Sequence, residues 1–298
     1  DRIVAIGDLR HLLARHSIDA DNLYVCPGFI DVHSHTDDWY FINPFAVSKI
    51  LQGVTTEIIG NCGESVVPPD STVDPTATSL EEFIRRLADS GIAINTATLI
   101  GHGNLRSIIM GHEDRDADTA ELLAMQQMLG KLIQEGALGL STGLAYPPGC
   151  FATTAELIAL CRSMSTFGGL YATHLRDEGD MVEAAVNEAI AICRTANVRG
   201  VISHHKAIGK ANWGKTTATL AAILAARNEG VDIYCDVYPY TALNTSLYTL
   251  LPNSLYVGGK EAMLRRLQDE QDCPELWQSI NHIAGEDWDN IIVTRVNT

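Results

Sequence analysis

Seven apolar, β-rich runs recur along this chain, and most are separated by stretches that carry helix start and stop signals. No other feature constrains the fold so tightly. The runs are Cys26 to Val32, Thr55 to Gly60, Asn95 to Gly101, Ala137 to Thr142, Gly169 to His174, Gly200 to His204 and Val231 to Val237. Between them, Ser79-Leu80-Glu81-Glu82 is a capping box that opens a helix closed by Gly91. Asp118 caps a helix running to Gln134, with Gly136 as its stop. Thr153-Thr154-Ala155-Glu156 is a second capping box, and Gly168-Gly169 end its helix. Asp180 to Ala196 and Thr217 to Glu229 read as two more helices. Several strand starts lie about 30–40 residues apart, the length of a βα unit with its loops. Units in series require a parallel sheet, and seven strands favour a (β/α)8 TIM-like barrel over an open sheet. The short β-type run Ile3 to Asp8 reads as a stub of something outside the barrel, which separates residues 1–25 from the barrel at 26–298. Gly63 to Thr78 is a Pro/Ser/Thr-rich loop, and Ile291 to Val296 is β-like.

Composition removes several function classes. A net charge of −16 argues against nucleic acid and anionic membrane as partners. No apolar run approaches the roughly 18 residues of a membrane span, and no secretory signal is visible. Seven cysteines at irregular spacing look like reduced, cytoplasmic thiols and not a disulfide framework. The charge says little about a small-molecule substrate, since a local Arg or Lys can still bind an anion.

The chemistry of a βα barrel sits at the C-terminal ends of its strands. The first such end carries His33-Ser34-His35, and i, i+2 spacing in a strand puts both imidazoles on one face, able to grip one divalent metal. Taken alone, a His-x-His is as often a pair of loop histidines. The other ends are Asn61-Cys62-Gly63, Gly101-His102-Gly103, His174-Leu175-Arg176-Asp177-Glu178, His204-His205-Lys206 and Asp236-Val237-Tyr238. Six of the ten histidines fall at these ends, and scattered surface histidines would not. Imidazole and thiolate together suit zinc. Blander readings stand beside this one. His102 fits a backbone hydrogen bond in its Gly-flanked turn. Of His204 and His205, only one can face the barrel mouth. Cys62 alone would more often be a buried thiol. Arg176-Asp177-Glu178 could be a solvated charge run, and Tyr238 a core aromatic.

The segment Pro27-Gly28-Phe29-Ile30-Asp31-Val32-His33-Ser34-His35 resembles the first-strand motif of the amidohydrolase superfamily. Further motifs are similar to those of the N-acyl-D-amino-acid deacylases, or D-aminoacylases. They are Gln52-Gly53-Val54-Thr55-Thr56 with Gly60-Asn61-Cys62-Gly63, then Gly136 to Pro148, Tyr171 to Glu178, Ile202 to Lys206, and Asp236 to Tyr240. The likeness runs from residue 1 to about 245, and its specificity lies in the order of the motifs. The resemblance implies a (β/α)8 barrel with a small β-sandwich built from both chain ends, residues 1–25 being its remnant. It implies one or two zinc ions held by His33, His35, Cys62, His174 and His204, with His204 and not His205 at the ligand position. It also implies an aspartate, after an eighth strand, as ligand and general base.

No eighth strand with that aspartate is legible before Thr298, so the barrel reads as incomplete at its C-terminus. Asp236, on the strand face of Tyr238, is a weak substitute. The leading expectation is a zinc-dependent hydrolase of the amide of N-acyl-D-amino acids, unable to complete the reaction on these residues alone. Tyr238 would help hold the oxyanion, and Arg176 and Lys206 the substrate carboxylate. A cyclic-amide hydrolase of the dihydroorotase or hydantoinase kind is the alternative, although Cys62, and the lack of a lysine at a fourth-strand end, count against it. A non-catalytic metal-binding barrel fragment is the third reading. Side-chain specificity, acyl group and oligomeric state are not written in the motifs.

Overall fold

The structure, a computed structural model, describes residues 2–68, 79–269 and 291–294, together with 276, 278 and 280. Among these residues eight strands form: β1 (Phe29–Asp31), β2 (Val54–Ile59), β3 (Asn95–Thr98), β4 (Ile100–Gly101), β5 (Gly139–Gly143), β6 (Leu170–His174), β7 (Arg199–Ile202) and β8 (Ile233–Cys235). Every pairing is parallel, and spatial order follows chain order. A doubly wound sheet reverses direction at a switch point; none occurs here. Because βα crossovers are almost always right-handed, serial order of this kind sets the helices on one face of the strands, the winding of a barrel.

β3 and β4 are one predicted run, interrupted at Leu99. On one side Leu99 N donates to Ile59 O (2.9 Å); on the other, Leu138 N donates to Thr98 O (2.8 Å). The run therefore changes partner from β2 to β5, passing from a three-stranded sheet (β1–β3) to a five-stranded one (β4–β8). Among the described residues no ladder joins β8 to β1, and the two edges meet through side chains, His33 Nδ1 lying 3.3 Å from Asp236 Oδ2.

The outer layer comprises α1 (Val47–Ile50), α2 (Leu80–Ser90), α3 (His102–Met110), α4 (Thr119–Gln134), α5 (Thr154–Ser165), α6 (Val182–Ala196), α7 (Lys215–Asn228) and α8 (Lys260–Asp269). The caps read from the sequence hold. Ser79 Oγ accepts from Glu82 N (3.1 Å), Asp118 and Glu121 form a reciprocal box (2.8 Å each way), and Thr153 Oγ1 accepts from Glu156 N (3.2 Å). Such caps contribute about 1 kcal/mol each. α6 starts two residues later than expected, because the Asp177 carboxylate turns the chain by accepting from Gly179 N and Met181 N. α3 was not predicted, since its opening His102-Gly103-Asn104 reads as a turn.

Ile59, Ile100, Leu140, Tyr171, Ile202 and Ile233 from the strands pack with Leu129, Leu157, Leu160, Val186, Ile190 and Ile223 from the helices in one core. Each such buried side chain is worth about 1.5–3 kcal/mol. β5 is buried at every position, as expected of a parallel strand covered on both faces.

The expected strand Ile3 to Asp8 does not form. Residues 2–28 contain no helix or strand, and Ile3, Val4 and Ile6 are exposed. A strand needs a partner's ladder, and none of the described residues supplies one. Residues 291–294 are likewise irregular; the rest of the β-like run to Val296, most of the predicted loop to Thr78, and Cys273 lie outside the described residues.

Candidate metal centre

The strand ends bring five donors to one place. His33 and His35 lie just past β1, and their Nε2 atoms are 3.3 Å apart. Cys62 Sγ, two residues past a glycine that ends β2, is 3.5 Å from His33 Nε2 and 3.4 Å from His204 Nε2. His174 is the last residue of β6, its ring 4.5 Å from that of His204 between centroids. Two overlapping triads result, His33/His35/Cys62 and Cys62/His174/His204, with donor atoms of each within 4.8 Å of one another. Cys62 belongs to both.

These spacings fit a metal. Tetrahedral zinc with Zn–N of about 2.05 Å sets its nitrogens roughly 3.3 Å apart, and with Zn–S of about 2.3 Å sets sulfur and nitrogen roughly 3.5 Å apart. The observed 3.3, 3.4 and 3.5 Å are such tetrahedron edges.

Two carboxylates behind the histidines fix which nitrogen faces inward. Asp236 Oδ2 sits 3.3 Å from His33 Nδ1, and Glu178 Oε1 sits 2.9 Å from His204 Nδ1. A proton on each Nδ1 satisfies the carboxylate and leaves the Nε2 lone pair pointing at Cys62, the arrangement metal-binding histidines use. Asp236 Oδ1 also accepts from His204 N (2.5 Å), so one side chain ties both halves of the site. Burial pushes the His174 imidazole down to about 3, reinforced by His204, Lys206 and His33 and opposed by Glu178. It is neutral at pH 7, so one ring nitrogen keeps a lone pair free for a metal. Burial raises the Cys62 thiol well above its ordinary range, with Glu178 and Asp236 adding to the effect. Only a cation in contact with the sulfur would make the thiolate stable there.

Local backbone is bent to reach this geometry. Cys62 and His204 have φ of 54° and 39°, a conformation that non-glycine residues adopt at a cost of order 1–3 kcal/mol. The Cys62 turn is pressed against β5, where a Cβ on Gly143 would lie 2.1 Å from Cys62 O. Ser141 clamps it further, donating to Gly60 O (2.5 Å) and accepting from Gly63 N (3.0 Å).

The other predicted residues fall as follows. His205 points the opposite way from His204, and its Nε2 is 2.8 Å from Thr219 Oγ1 on α7. His102 is fully buried, its Nε2 2.8 Å from Glu156 Oε1 beside Arg106, which is a side-chain ion cluster and not the backbone bond expected. Lys206 Nζ donates to Glu178 Oε1 (2.6 Å) and lies 5.7 Å above the Tyr238 ring, so both edge the site. Arg176 is not brought to the cluster. It chelates Glu188 (3.0 and 2.9 Å) and donates to Cys150 O (2.9 Å) and Ala152 O (3.0 Å). Glu178 is buried, which corrects its reading as part of a solvated charge run. Sequence reasoning also missed Tyr146, whose hydroxyl is 3.3 Å from His174 Nδ1, although it lies within a quoted motif. Beside the cluster opens a cleft of about 370 Å³, lined by His35, Cys62, Glu64, Tyr146, His112 and Tyr256 among others.

A parallel βα fold with a His-x-His, a cysteine and two further histidines clustered at strand ends has the architecture of an amidohydrolase. The chain matches the amidohydrolase family over residues 16–272, and it belongs to that family. It is similar to the D-aminoacylase of Alcaligenes xylosoxydans xylosoxydans, with 40% identity over 259 residues, 83% of this chain and 53% of the relative. To the N-acyl-D-glutamate deacylase of the same organism it is 42% identical over 258 residues, again 83% and 53% of the two chains. Among solved structures, the N-acyl-D-glutamate deacylase of Bordetella bronchiseptica, complexed with zinc and a phosphonate mimic of the tetrahedral intermediate, superposes with a TM-score of 0.75 at 42% identity, covering 80% of this chain and 53% of that one. The chain thus spans about half the length of the curated relatives it matches.

Proposed function

We propose that this chain carries the metal centre of a zinc-dependent hydrolase acting on the amide of N-acyl-D-amino acids, releasing a carboxylate and a free D-amino acid. The observation that carries the reading is the set of tetrahedral edges around Cys62, 3.3 to 3.5 Å between donors drawn from three strand ends. Bound there, one or two zinc ions would supply Lewis acidity, acidifying water and polarising the scissile carbonyl. His33, His35, Cys62, His174 and His204 would hold them.

The remaining tasks fall to the chain's own groups. Asp236 and Glu178 keep the His33 and His204 lone pairs aimed inward, and both are committed to that role, so neither is free to carry the proton of the reaction. The resemblance assigns that step to an aspartate after a further barrel strand, β8 being the seventh of the predicted runs. The Tyr238 hydroxyl, on a ring that Lys206 Nζ overlies, is our candidate for steadying the developing oxyanion. Lys206 uses one N–H on Glu178 and lies 3.0 Å from His204 Nδ1, keeping donor capacity for a substrate carboxylate. Arg176, offered for the same carboxylate, has four of its N–H bonds engaged with Glu188 and two carbonyls, so in this reading it acts on substrate only by holding the loop that lines the cleft. We take residues 1–25 as belonging to a β-sandwich and 26–298 to the barrel. We place the protein in the cytoplasm, with neither nucleic acid nor membrane as partner. The net charge of −16 and the lack of disulfides among the described cysteines support this, and no helix among the described residues is long and apolar enough to cross a membrane.

The test is a substrate panel on the zinc-loaded protein, expressed from the reading frame that contains this chain. N-acetyl-D-amino acids should be hydrolysed, their L-enantiomers not. Turnover of hydantoins or dihydroorotate in place of N-acyl-D-amino acids would overturn the assignment.

A further inference from the structure

β1 ends at Asp31, so neither His33 nor His35 is held by the β1–β2 ladder. One backbone bond continues beyond it, from Ser34 N to Ile58 O (3.1 Å). Something else must fix a turn whose histidines need placing to a few tenths of an ångström. Behind it sits Glu57 of β2, paired with Asp31 in register and wholly buried. Its carboxylate accepts from Ser34 Oγ (3.0 Å), from Thr36 Oγ1 (2.8 Å) and from the Tyr40 hydroxyl. Lys49 Nζ neutralises it at 2.6 Å and reaches Asp31 Oδ2 at 2.5 Å, while Asp31 Oδ1 accepts from His33 N (3.1 Å). The residues on either side of His35 thus converge on one carboxylate, and the amide of His33 is tied to the same cluster.

The geometry points to Glu57 as a positioning residue for the metal ligands His33 and His35, acting through Ser34, Thr36 and the Lys49–Asp31 pair. As a source of fold stability a buried ion pair is a poor device, since desolvation offsets most of its attraction. As a clamp on a turn it is a good one, because all four acceptor sites of a single carboxylate can be filled from the turn and its neighbours. The inference rests on the metal-centre reading above.

Zinc titration against a chromophoric chelator, with the melting temperature of the metal-free protein measured in parallel, tests it on three proteins. The first is the parent. The second is S34A/T36V, which removes the two hydroxyls and leaves Glu57 paired with Lys49. The third is Glu57→Gln. In both variants, zinc bound through His33 and His35 should weaken by about tenfold or more, as for other outer-shell partners. Zinc held by Cys62, His174 and His204 should be retained, and the cobalt-substituted protein should keep its thiolate charge-transfer band. Unchanged zinc affinity in folded variants, even with a lowered melting temperature, would mean that the cluster only supports the fold, and the inference fails alone. If the parent protein binds no zinc, the metal-centre reading fails and takes this inference with it. Should Glu57→Gln not fold, S34A/T36V decides.

Discussion

His204 and His205 are adjacent and chemically identical, and the turn after β7, in which His204 has a left-handed φ of 39°, gives them opposite fates. His204 faces Cys62 at 3.4 Å; His205 faces Thr219 at 2.8 Å. Their alanine variants should separate cleanly. His204→Ala should weaken zinc binding by more than the roughly 10–100-fold typical of an outer-shell change, with little loss of stability. His205→Ala should leave zinc affinity unchanged and lower unfolding stability by about 1–3 kcal/mol, the cost of a lost buried hydrogen bond. Chelator competition and urea unfolding on both variants check the pair; loss of zinc binding in His205→Ala would contradict the assignment. At this scale the clustered donors were legible as candidates, because each sits where a β-type run stops. Glu178, Asp236 and Glu57 were not legible in their roles. A carboxylate in a charge run or a strand looks solvated until distant segments surround it, and the partners of Glu57 lie 8 to 23 residues away in sequence.

At the scale of elements, two side-chain clusters hold the helices and loops that carry the site. Arg176 joins the β6 end to Glu188 on α6 and to the carbonyls of Cys150 and Ala152. Arg176→Ala should cost about 1.5–3 kcal/mol of stability through lost charged hydrogen bonds. If its part is to hold the loop, KM for an N-acyl-D-amino acid should change far less than the unfolding midpoint. A large rise in KM at unchanged stability would make it the carboxylate anchor instead. The second cluster links α3 to α5 through His102, Arg106 and Glu156. Burial alone would raise the Glu156 carboxyl, but the bond from His102 and the charge of Arg106 outweigh it and hold the group below its ordinary 4.5. A depressed folded value contributes stability above the unfolded one and loses it as pH falls. The melting temperature should therefore drop as pH passes below about 4.5, and Glu156→Gln, less stable at neutral pH, should show a flatter acid limb; an unaltered limb would remove Glu156 from the account. The helices of these clusters were partly legible: the capping residues of α2, α4 and α5 announced their starts, whereas α3 begins at glycine-flanked His102, where local propensity argues for a turn.

Across the whole molecule, serial βα units bring the ends of β1 and β8 together, so that the side chains of His33 and Asp236, more than two hundred residues apart, approach within 3.3 Å. Strand order, parallel sense and helix layer follow from the spacing of apolar runs, because crossover handedness leaves few alternatives. The partner change at Leu99 and the failure of Ile3 to Asp8 to form a strand do not, since both depend on which neighbour is present and not on the run itself. The central claim is that this convergence delivers a cysteine and histidines to a shared metal. Zinc K-edge absorption of the zinc-loaded protein tests it most directly. A sulfur scatterer at about 2.3 Å beside nitrogens at about 2.0–2.1 Å is the predicted shell, and the sulfur should vanish in Cys62→Ser. A shell of nitrogen and oxygen alone in the parent protein would contradict the account.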